Sequence, residues 1–166
     1  MRHSSKAFLT IVAVCGWSAG LIAFQQPQPS GPGSTYQVVK VCSLATVAEV
    51  KKFAPWPPHM DRFAKAEEEA IGTRGSSCNY PTVHVQVLSF RQQTIDTAHK
   101  AGKLEPVSGV GDEAYVHNNK ERFAELYTRV GPHLLTVQMD IGTNQKFDTV
   151  KPSLIELAKV FAAKLR

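Results

Sequence analysis

Residues 122–141 read RFAELYTRVGPHLLTVQMDI, and this stretch decides the fold. Ala124, Leu126, Thr128 and Val130 occupy alternate positions, and Leu135, Val137, Met139 and Ile141 do so again beyond Gly131-Pro132. Successive side chains of a strand point to opposite faces, so two alternating runs joined by a turn dipeptide predict an antiparallel hairpin. A second alternating run precedes it. In YPTVHVQV, residues 80–87, Val83, Val85 and Val87 share one side, while Thr82, His84 and Gln86 share the other. That is the pattern of a strand with one buried face and one wet face.

Helical spacing appears on both flanks. Thr46-Val47-Ala48-Glu49 fits a capping box, and Leu44, Val47, Val50 and Phe53 recur with a helical period, so a short helix is expected over 44–54. Pro55 ends it, and Pro57-Pro58 keeps the next stretch extended. HMDRFAKAEEEAI, residues 59–71, suits either a second helix or an irregular lead into a strand, and residues 72–77 read as a turn. Residues 91–100 look helical, with Gly102 as a cap. At the C-terminus, Pro152 is placed at the first helical position, ahead of a stripe of Leu154, Ile155, Leu157, Ala158, Phe161 and Leu165. Lys159, Lys164 and Arg166 suit the negative end of that helix dipole. The predicted class is α+β: an antiparallel sheet with helices packed on one face, including a C-terminal amphipathic helix.

The chain of 166 residues is 43% hydrophobic and 20% charged, a mixture able to build one core. Three segments are expected. Residues 1–24, MRHSSKAFLTIVAVCGWSAGLIAF, place Arg2 and Lys6 before an uncharged run from Ala7 to Phe24. This is the layout of a secretory signal peptide, or of an N-terminal membrane anchor over residues 7–24 if it is not cleaved. Residues 25–35, QQPQPSGPGST, form a Pro/Gly/Gln-rich linker, and residues 36–166 a single α+β domain. The expected location is therefore outside the cytosol: periplasmic or secreted. The formal net charge of +5 falls to +3 without Arg2 and Lys6, and no dense basic run exists, so no nucleic-acid partner is expected.

Cys42 and Cys78 are the cysteines outside the leader. An even pair in an oxidising compartment reads as a disulfide closing a 36-residue loop. The rival reading is a reactive thiol at Cys42, just before a helix start. In VSGVGDEAY, residues 107–115, Gly109 and Gly111 lack the third glycine of a dinucleotide loop, and the ligand offsets of a calcium loop are missing. The stretch reads as a structural turn with positive φ at Gly109 or Gly111 and Asp112 capping local amides. His59, His84, His99, His117 and His133 have no metal-ligand spacing, so neither metal nor cofactor is predicted. The candidate binding face is the polar side of the strands, His84, Gln86, Thr136 and Gln138. Trp56 within FAPWPP is added as an aromatic contact or, on the competing reading, a loop anchor.

The order Cys42-Ser43-Leu44 before a helix, Ser77-Cys78-Asn79-Tyr80 opening a strand, then Val107 to Ala114 as VSGVGDEA, resembles a group of small exported bacterial proteins. It includes DUF3558-like lipoproteins of unknown function, and extracellular sensor domains of some bacterial kinases look similar in layout. The resemblance covers residues 40–166 and implies an α+β domain with a Cys–Cys bridge, an exported location and no established catalysis. Val14 before Cys15 departs from a lipidation site. Two functions are expected to compete. The first is a non-enzymatic exported domain binding a small molecule, an envelope component or a partner protein. The second is an exported hydrolase or redox enzyme with a dispersed site drawn from Asp112, Glu113, His117 and Cys42.

Overall fold

The computed structural model describes residues 36–91, 95–97, 100, 104–119, 122–143 and 145–166; the expected leader, linker and Gly102 cap lie outside them. Seven strands form one antiparallel sheet: β1 Glu67–Ala70, β2 Gly75–Tyr80, β3 Val83–Ser89, β4 Glu105–Val107, β5 Glu113–Asn119, β6 Phe123–Val130 and β7 His133–Asp140. Their order across the sheet is β1-β2-β3-β7-β6-β5-β4. The chain meanders through β1–β3, jumps to the far edge, and meanders back so that β7 closes against β3. The hairpin β6–β7 forms as expected, with Val130 opposite His133 and Gly131 at φ 55° in the turn.

Register sets two faces. Cys78, Val85, Val137, Leu126 and Val116 lie opposite one another from β2 to β5, and all five are buried. Above this row lies α2, Phe147–Lys164, which contacts β6 and β7 through a stripe that includes Leu154, Leu157, Ala158 and Phe161. Each large side chain buried there contributes about 1.5–3 kcal/mol relative to exposure. The short helix α1, Val47–Lys51, and the 3-10 turn Val41–Ser43 join the same core through Val41 and Val50. The fold is thus mixed α+β, and mostly sheet.

The disulfide Cys42–Cys78 is present, with 5.1 Å between Cα atoms. Closing a loop of this length is worth roughly 4 kcal/mol by unfolded-state entropy. A carboxylate holds the same junction: Glu68 on β1 accepts from Val41 N at 2.8 Å and Cys42 N at 2.6 Å, and also from the Ser76 hydroxyl. It satisfies the free amides at the start of the 3-10 turn and ties that turn to the sheet.

Several expected boundaries move. The helix expected over 44–54 shortens to the five residues of α1, and the 3-10 turn Val41–Ser43 precedes it. The capping box forms, with Glu49 N donating to Thr46 Oγ1 at 3.2 Å, and it sets the helix start beyond Leu44. Residues 75–77, expected as part of a turn, belong to β2, an interior strand next to the β1 edge. Their small side chains suit a crowded position, since a Cβ on Gly75 would stand 1.9 Å from the Val87 carbonyl oxygen. Tyr80 ends β2 rather than opening β3, and the turn falls at Pro81-Thr82. The ambiguous stretch after Pro57 divides into a 3-10 helix, Pro58–Phe63, and edge strand β1, whose three glutamates are exposed. Residues 95–97 are helical, as expected. Pro152 is not the first residue of α2 but lies inside it, five positions after Phe147. At the sixth helical position, in the second turn, this proline lacks the amide that would have bonded the Asp148 carbonyl, so α2 gives up one backbone bond there.

VSGVGDEAY is a turn, with φ 78° at Gly109 and 58° at Gly111. Asp112 reaches further than expected: instead of capping local amides, it accepts from Gly131 N of the β6–β7 turn at 2.8 Å. The two glycines differ. A Cβ on Gly109 meets nothing within 4 Å, whereas one on Gly111 would lie 2.2 Å from Thr128 Oγ1 and 2.3 Å from the Arg129 carbonyl oxygen. Gly109→Ala should therefore cost about 1 kcal/mol from the left-handed backbone alone, and Gly111→Ala about 3 kcal/mol or more. Urea unfolding of the two variants checks the difference, and equal losses would contradict the packing argument.

Candidate functional site

The second face of the sheet is polar. Asn79, His84, Gln138, Glu125 and His117 form one cross-strand row from β2 to β5. Ser77, Gln86, Thr136, Tyr127 and Tyr115 form the next. The sequence-predicted residues His84, Gln86, Thr136 and Gln138 thus come together in two adjacent pairs on β3 and β7, all partly exposed. Trp56 does not join them. It is 4% exposed within the core, and its indole N–H donates to Asp61 at 2.9 Å, so the loop-anchor reading describes its position.

The centre of this face is a carboxylate that the pattern reading passed over. Glu125 on β6 is 7% exposed. Its Oε1 accepts from Asn119 Nδ2 at 3.0 Å, and its Oε2 from the Tyr127 hydroxyl at 2.6 Å. His117, its cross-strand partner, brings Nε2 to 3.4 Å from Oε2. A nearly buried carboxylate is tolerable because charge-assisted hydrogen bonds replace its lost hydration. The His117 ring lies 5.6 Å from that of Tyr127, and its Nδ1 is buried without a hydrogen-bond partner among the described residues. Nearby, Tyr115 donates to Glu113 at 2.7 Å. Burial, followed by the bond to Glu125, pushes the Tyr127 phenol above its ordinary value.

Chemically, this cluster is a fixed hydrogen-bonding platform. Glu125 holds Tyr127 and Asn119 in place, so the surface around Gln138 and Thr136 is organised before anything binds. The dispersed enzyme suspects are not assembled. Cys42 is in the disulfide and carries no thiol. Asp112 serves the Gly131 amide, with Arg166 3.9 Å away. Glu113 opens β5 four positions before His117 and holds Tyr115. His117 meets a carboxylate, but it is Glu125. Cys42, Glu68 and Cys78 lie close enough for a shared ion, yet both sulfurs are consumed by their mutual bond.

No family model, curated protein or solved structure matches this chain.

Two outcomes follow from the platform. Glu125→Ala leaves the Tyr127 and Asn119 donors without their acceptor and should destabilise by about 2–3 kcal/mol, with Glu125→Gln costing less because an acceptor oxygen remains. Urea unfolding decides this, and a neutral Glu125→Ala would show the network to be idle. Alkaline pH should also weaken the fold. Unfolded tyrosines ionise near 10. Folded Tyr127 is raised, and Tyr80, whose hydroxyl donates to the Ala45 carbonyl, is pushed up to about 12 by burial and then by Glu68 and Glu49. The unfolded state therefore releases these protons first, so the contribution is complete below about 10 and is lost as pH rises toward 12. Tyr127→Phe and Tyr80→Phe should each flatten that decline in unfolding midpoints measured between pH 8 and 11.

Proposed function

We propose that this chain is an exported, non-enzymatic domain that binds an envelope component or a partner protein on the polar face of its sheet. One observation carries the reading: ten hydrogen-bonding side chains stand in two continuous rows from β2 to β5. Five strands at the usual spacing make a surface about 19 Å wide. A broad, amide- and hydroxyl-rich face, on which all but Ser77 and Glu125 of these ten side chains are partly exposed, suits an extended hydrogen-bonding partner better than a compact apolar one. The buried Glu125 network lowers the ordering cost on binding, since Tyr127 and Asn119 are already held.

Export is supported by the signal-like leader and by the disulfide, a bond that persists in oxidising compartments. Among the described residues, no helix is long and apolar enough to cross a membrane. The enzyme alternative is disfavoured by the separation of its suspects and the consumption of Cys42 in the bridge.

Thermal-shift measurements against purified peptidoglycan fragments, together with crosslinking in envelope extracts, test the proposal. At least one probe should raise the melting midpoint or yield a crosslinked partner. A triple variant, Gln86→Ala, Thr136→Ala and Gln138→Ala, should lose that response by tenfold or more in affinity while its own midpoint is nearly unchanged. Binding that survives the triple variant, or no response to any probe, overturns the reading.

A further inference from the structure

A cleft of about 820 Å³ opens where β6 begins and β7 ends, and none of its lining residues belongs to the two polar rows. The segment after α1 contributes Phe53 and Pro55, the strand ends contribute Thr82 and Met139, and the first half of α2 contributes Val150 and Ser153. Met139 and Val150 are buried, at 4% and 6% exposure, so the deep part of the cleft is continuous with the hydrophobic core. A volume of this size, with an apolar floor and a few polar groups, has the dimensions of a small-molecule site.

Three features specify its chemistry. Thr82 Oγ1, on the lining, is buried and has no hydrogen-bond partner among the described residues. Such a hydroxyl can pair with a water or with a polar group of a bound ligand. Arg122 stands on the same lining, its guanidinium 5.2 Å from the centre of the Phe123 ring, and it closes no salt bridge among the described residues. Asp140 also lies on the lining, close enough for Arg122 to act on its carboxyl, which burial nevertheless pushes up. Among the described residues the cleft therefore combines an apolar interior with a cation, Arg122, that closes no salt bridge, and the neighbouring Asp140 carboxylate repels a dianion more strongly than a monoanion.

We propose that this cleft binds a small amphipathic monoanion, with its apolar body against Met139, Val150 and Phe53 and its carboxylate head on Arg122. The site is independent of the polar-face reading and stands or falls separately from it.

Titration of the protein with octanoate, octan-1-ol and octyl phosphate, below their aggregation limits and at pH 8, tests the assignment by calorimetry and amide chemical shifts. Octanoate should bind at least fivefold more tightly than either competitor and should shift the amides of Thr82, Met139 and Thr149. Arg122→Gln should reduce octanoate to the level of octan-1-ol, and Asp140→Asn should tighten octanoate severalfold. Both side chains sit at exposed positions, so the fold should persist, as melting midpoints will show. Equal affinity for octanoate and octan-1-ol in the unmodified protein, or shifts confined to other regions, overturns the proposal without reference to either variant.

Discussion

The pairing of β3 with β7 is the constraint on which the rest of the molecule depends. Seven residue pairs, from Val83 opposite Met139 to Ser89 opposite His133, join two meanders that are otherwise separate in the chain. Both faces of the sheet pass through this seam. Val85 meets Val137 on the core side, and Gln86 meets Thr136 on the polar side. A slip of one residue would exchange these sets, burying the amides and exposing the valines. The alternation from Val83 to Val87 and from Leu135 to Met139 opposes that slip, so over these residues the register follows from side-chain polarity. The other parts attach to a sheet already fixed: α2 covers β6 and β7, while the disulfide and Glu68 hold the 3-10 turn over β2.

What could be read in advance follows the same logic. β3, β6 and β7 alternate because one side is dry and the other wet, so their existence and the four polar-face residues His84, Gln86, Thr136 and Gln138 were legible from spacing alone. β2 was not. Gly75, Ser76 and Ser77 have the composition of a turn, yet Val87 leaves no room for a side chain at Gly75, and Ser76 receives the Val41 amide of the 3-10 turn. Pro152 misled for a related reason: it suits a first helical position, but α2 gains a turn from Phe147 and Val150, whose burial is a tertiary property. Glu125 and Tyr127 did occupy the polar slots of an alternating run. Their network was still invisible, because the burial of Glu125 depends on His117 and Asn119 arriving from β5. Trp56 was conspicuous by type, and its place in the core follows from packing around Asp61 and Lys51 that spacing does not encode.

Covalent and ionic restraints converge on the start of the folded chain. Cys42 is bonded to Cys78, Glu68 receives the adjacent amides, and Tyr80 donates to Ala45 a few residues on. Glu49 links the cap of α1 to Lys164 at the end of α2 at 3.1 Å, and its carboxyl is held down to about 2 by the Thr46 amide, then by Lys164 and the Thr46 hydroxyl. The small helical elements contribute little buried area of their own, so these ties supply what packing there does not. The polar face, by contrast, is organised within the sheet itself, and its order does not rely on the amino-terminal junction.

The two outermost strands also determine how copies of this domain meet. β1 carries Glu67, Glu68 and Glu69, all exposed, and β4 is three residues long with Pro106 at its centre. Unpaired strand margins usually invite another chain to add on, but like charges on one side and a missing amide donor on the other discourage it. At high local concentration these margins work against the growth of a continuous ribbon from copy to copy.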